Sequence, residues 1–118
     1  MSKQVLLGAV ALSAATGLIS LSLLGSTVLA AGNKHVEEAV EHAKEAVSHG
    51  KQGHADAVTK HAQEALKHAE AAQKDVKSPH LSEGIKGLKD AVEHGKAGHA
   101  DVATKAADSA VMHLSEVK

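Results

Sequence analysis

The chain has 118 residues, with 10 histidines, no cysteine, no Phe, Tyr or Trp, and a formal charge of −1 when histidine is neutral. Near-neutrality without arginine or aromatic residues argues against a nucleic-acid binder, and the missing cysteine excludes disulfides, thiolate zinc sites, iron–sulfur ligation and thiol catalysis. Ala, Lys and Glu are abundant and favour helices, so any core is expected to be thin and built mainly from Ala and Val.

At the N-terminus, Lys3 precedes a run without charge from Gln4 to Asn33. It contains VLLGAVALSAATGLISLSLL and then the small-residue segment STVLAAG, where Val28 and Ala30 fit a cleavage site. Residues 1–30 therefore read as a secretory signal peptide cut after Ala30, which implies a periplasmic protein with no membrane attachment after cleavage. The uncharged run is also long enough to span a bilayer, so a retained anchor is the alternative.

Residues 31–118 form one domain made of two similar halves, 34–73 and 79–118, which superpose at an offset of 45 with about half of the positions identical. Each half reads as helix, short turn, helix. In the first helix, Val36, Val40, Ala43 and Val47 recur at helical period, and Val58, Ala62, Ala65 and Ala69 do so in the second. Leu81, Ile85, Leu88 and Val92 mark the third helix, with Ala103, Ala107, Ala110 and Leu114 in the fourth. The turns Gly50-Lys51-Gln52-Gly53 and Gly95-Lys96-Ala97-Gly98 are short enough to make each helix pair antiparallel. Asn33 can cap the first helix, and Ser78 with Pro79 can open the third. The expected fold is all-α: an antiparallel up-down four-helix bundle made of two duplicated helical hairpins. Gly84 and Gly87 inside the third helix each cost about 1 kcal/mol relative to Ala, so that helix is expected to fray most.

The histidines fall in ladders of seven. His35, His42 and His49 form one, and His54, His61 and His68 another; His80 and His94, like His99 and His113, stand two heptads apart. A step of seven is close to two helical turns, so each ladder occupies one helix face. Glu38 lies three residues after His35 and four before His42, and Glu45 and Glu64 stand in the same relation to their neighbours. In the second half His42 and His61 are replaced by Gly87 and Ala106, so fewer ligands are expected there. Histidines seven apart on one helix are separated by about 10 Å and cannot chelate one ion together, so a site needs a second helix. His49 with His54, and His94 with His99, flank the turns and are expected to anchor the better sites.

Imidazole with carboxylate suits Cu(II), Ni(II), Zn(II) or Fe, with Cu(II) favoured by intrinsic affinity. The pattern points to a metal-sequestering protein that binds several divalent ions without catalysis. A metallochaperone would look similar. A structural or pH-responsive helical protein, with solvated histidine faces, is the alternative from a different class. An enzyme is not expected, because no nucleophile–base constellation is present. A di-iron centre would use Glu-x-x-His, whereas Glu38 and Glu45 follow histidine at three.

The repeated HAKEAV, HGKQGHAD and KHAQEALKHA segments resemble the small metal-binding protein family, and the likeness covers Lys34 to Lys118. The resemblance implies a monomeric four-helix bundle that binds several divalent metals, copper especially, in metal buffering or tolerance. It carries all ten histidines here as ligands: His35, His42, His49, His54, His61, His68, His80, His94, His99 and His113.

Overall fold

The computed structural model describes residues 33–118. The signal-peptide reading of 1–30 lies outside the described residues. The described residues belong to one compact unit.

Asn33 starts the first helix: its side-chain oxygen accepts hydrogen bonds from the backbone N–H of His35 and Val36, at 2.9 and 3.3 Å. These are two of the four donors a helix start leaves unpaired. Helix α1 runs Lys34–Lys51 and α2 runs Ala55–Gln73. Ser78 caps α3, Pro79–Lys96, in the same way, with proline in the first turn where its missing N–H costs nothing. Helix α4 runs Ala100–Ser115.

The two hairpin turns share one design. The second glycine of each pair, Gly53 at φ 81° and Gly98 at φ 82°, takes the left-handed conformation that ends a helix. Around it the His54 N–H donates to the His49 carbonyl and the Gly53 N–H to the Gly50 carbonyl, with the same pair of bonds at His99–His94 and Gly98–Gly95. This is the Schellman arrangement, in which the residues joined by the outer bond also bring their side chains together. The first glycines, Gly50 and Gly95, remain helical and buried.

Those helical glycines lock the hairpins to each other. A Cβ on Gly50 would collide with the Thr104 side chain, and one on Gly95 with that of Thr59. The two contacts are related by the repeat offset, which gives the bundle a pseudo-two-fold relation. They also place the end of α1 beside the start of α4, and the end of α3 beside the start of α2. Every adjacent pair is therefore antiparallel, with α1 and α3 on opposite corners. The described residues are all-α, as an up-down four-helix bundle with no strands.

The core is apolar throughout, with no buried polar or charged residue among those described. The hairpins fill it unequally. Helices α1 and α2 bury only Ala and Val apart from Gly50, whereas α3 and α4 supply Leu81, Ile85, Leu88 and Leu114. Val40 and Val92 pack only partly against the core, while Ala39, Ala46, Ala72 and Ala91 are buried and extend the stripes read from the sequence. Gly84 has a packing reason: Leu114 lies over it, so close that a Cβ would come within 2.6 Å of the leucine side chain. The equivalent pair in the first hairpin is Ala39 with Ala69. Volume has moved from one side of the contact to the other, and α3 is continuous through both of its internal glycines.

Candidate metal centre

Helices α1 and α2 lie antiparallel with their histidine faces turned to one seam, and the ladders interdigitate. Ring centroids run His35–His68 5.6 Å, His68–His42 5.6 Å, His42–His61 6.1 Å, His61–His49 5.0 Å and His49–His54 6.1 Å. Six imidazoles thus form one zipper down the edge of the bundle. The register follows from the fold: a fixed turn joins the helices, and a step of seven forward on α1 meets a step of seven backward on α2.

Carboxylates complete three groups. Glu38 Oε1 lies 3.7 Å from His35 Nδ1 and 3.1 Å from His68 Nδ1, and the two nitrogens are 3.3 Å apart. One heptad on, Glu45 Oε1 lies 3.4 Å from His42 Nδ1 and 3.1 Å from His61 Nδ1. The third group is His42, Glu64 and His68. A tetrahedral ion with bonds of about 2.0–2.1 Å has ligand-to-ligand edges of about 3.3–3.4 Å, so these separations fit the face of a coordination sphere. Two imidazoles and a carboxylate leave at least one position open for water or an exchanging ligand, which suits reversible cargo.

One atom at the middle of the zipper favours a ligand over a solvated face. His42 Nδ1 is sealed from solvent and has no hydrogen-bond partner, with Glu45 Oε1 3.4 Å away. His49 Nδ1 is in the same state. A buried nitrogen without a partner costs free energy in the metal-free protein and gains a partner when an ion binds. The rest of the seam is half-exposed. Glu64 also pairs with the exposed Lys67 at 3.6 Å, a surface contact of little energy that an ion could displace.

The turn pairs, expected from the sequence to anchor the better sites, lie outside the three-ligand groups. His49 and His54 pair their rings, as do His94 and His99 at 6.1 Å, but none of the four belongs to a three-ligand group. The position three residues after the ladder histidine, which is Glu38 or Glu45 in the groups above, is Gln52 at the first turn and Ala97 at the second. The Schellman bond also accounts for the closeness of each turn pair without a metal.

In the second hairpin His80 and His113 meet at 5.8 Å, matching His35 and His68. Between that pair and the turn, Gly87 and Ala106 occupy the places of His42 and His61. A Cβ on Gly87 would lie 3.1 Å from the Ala106 carbonyl and 3.2 Å from the Ala110 Cβ, so bare backbone is packed where the first hairpin carries imidazoles. No three-ligand group forms there among the described residues.

The small metal-binding protein family model matches residues 10–117, and no curated protein matches the chain. The family description points to binding rather than catalysis, in keeping with groups of His and Glu that can hold an ion. With the ligand geometry on one seam and the match running over nearly its full length, the chain belongs to the small metal-binding protein family.

Proposed function

We propose that the protein buffers divalent transition metals in the periplasm, with Cu(II) held most tightly and Ni(II) and Zn(II) also accepted. The observation that carries this reading is the heptad repetition of one donor set across the α1–α2 seam, two imidazoles and a carboxylate at 3.1–3.7 Å. Imidazole and carboxylate are borderline-to-hard donors, and Cu(II) leads the intrinsic affinity order for such sets. Cu(I) would prefer thioether or thiolate, and downstream of Ala30 the sole sulfur is that of Met112. Open coordination positions and half-exposed ligands suit storage and release rather than permanent retention. A monomer suffices for this, since the three-ligand groups of the α1–α2 seam need no donor from a second chain.

The test is equilibrium dialysis of the chain from Ala31, without an affinity tag, at pH 7.5 against equal low-micromolar Cu(II), Ni(II) and Zn(II) with glycine as competitor. Several equivalents retained, copper first, are expected. Retention below one equivalent would turn the histidines into a solvated face and overturn the reading. Fractionation of cells expressing the full chain tests location: recovery with the cytoplasmic or membrane fraction would refute a periplasmic buffer.

A further inference from the structure

The three ligand groups of the α1–α2 seam are not three separate sites. His68 belongs both to the group with His35 and Glu38 and to the group with His42 and Glu64, and His42 belongs to the latter and to the group with Glu45 and His61. The central group shares one histidine with each outer group, whereas the outer groups share none. The geometry points to a seam with two alternative loadings: one ion on the central His42, Glu64 and His68, or two ions on the outer groups. This deepens the metal-buffering reading above and rests on it.

The exclusion follows from imidazole chemistry. A neutral ring offers one lone pair, because its other nitrogen carries a proton. For His68 or His42 to hold two ions at once it would have to lose that proton and bridge as an imidazolate, bringing two dications within one ring's width. The outer groups avoid this, since they lie one heptad apart, about 10 Å along the helices. A first ion can occupy any of the three groups. When the first sits on the central group, a second fits only after it has left Glu64: His68 is kept while His42 and Glu64 give way to His35 and Glu38. Loading the second ion therefore drives the first to one end of the seam. Glu64 is a ligand at low occupancy alone.

Carboxylate 13C shifts of Glu38, Glu45 and Glu64 during a Zn(II) titration at pH 7.5 test this. The protein is the chain from Ala31, which contains the whole bundle with its own core. The expected result is that Glu64 shifts at low zinc and returns to its metal-free position as Glu38 and Glu45 saturate. The double variant Glu38→Gln/Glu45→Gln is expected to keep Glu64 shifted to saturation. The inference is overturned if Glu64 stays shifted in the parent protein at saturation, or never shifts even in the double variant. If no histidine or carboxylate of the seam responds, the metal-binding reading itself fails, a result distinct from either.

Discussion

His42→Ala separates a ligand from a structural residue, because the two roles predict opposite signs. His42 belongs to two of the three ligand groups, so its removal leaves only His35, Glu38 and His68 and reduces the seam from two ions to one. An ion at about 100 times its Kd stabilises the folded state by about 2.7 kcal/mol. For a domain of this size 1 kcal/mol moves Tm by about 4–8 °C, so the zinc-induced rise in Tm should shrink by about 11–22 °C. Zinc bound by histidines of the unfolded chain lowers these figures without changing their sign. In the metal-free protein the substitution removes a buried nitrogen without a partner, worth about 1–3 kcal/mol, and gains a few tenths of a kcal/mol in helix propensity. Against this stands the loss of ring contacts with His61 and His68. The metal-free Tm is therefore expected to hold or rise. Differential scanning calorimetry with and without Zn(II) reads both quantities, with His54→Ala, outside every three-ligand group, as the control. A metal-free Tm that drops by several degrees while the zinc-induced rise is unchanged would refute the reasoning.

Metal retention is expected to fall as pH drops from 7.5 to about 5, because imidazole must be neutral to ligate; dialysis at both values, with proton release followed by pH-stat, checks it. Leu88→Ala, at a fully buried position in α3, is expected to cost about 2.7–5 kcal/mol in urea unfolding. A similar change at Val58 removes less side chain and is expected to cost less, even though α2 carries the ligands. Gly53→Ala places a Cβ on a residue at φ 81° with open space around it, so backbone strain alone sets the loss, about 1–2 kcal/mol by urea unfolding, with metal stoichiometry unchanged.

Much of this arrangement was legible in the sequence because repeat, period and punctuation agreed. The offset of 45 gave two hairpins, the Ala/Val/Leu stripes gave the buried faces, and Asn33 and Ser78 cap as their residue types predict. The glycines were harder. A glycine just beyond a helical pattern reads as a cap, yet Gly50 and Gly95 stay inside their helices to admit threonine, and the caps are Gly53 and Gly98. Gly87 reads as a lost ligand position, but it is also a point of backbone contact that no pattern on one helix reveals. The poverty of the turn pairs could have been found: carrying the three-residue spacing of Glu38 and Glu45 one heptad further lands on Gln52. Sharing of His42 and His68 could not, because it depends on how two helices mesh across the seam.

The close approach at Gly87 bears on how such a chain could be given greater capacity. Writing histidine back at 87 and 106 looks like a simple restoration, but the ring at 87 would have to enter space already held by Ala106 and Ala110. Room could be made only by prising α3 from α4, which would loosen Leu114 from Gly84 and thin the part of the core that holds the larger apolar groups. One copy of the duplicated unit has become the keel and the other the hold. Added tonnage would have to come from a further hairpin joined end to end, with its own keel, rather than from refitting the one already afloat.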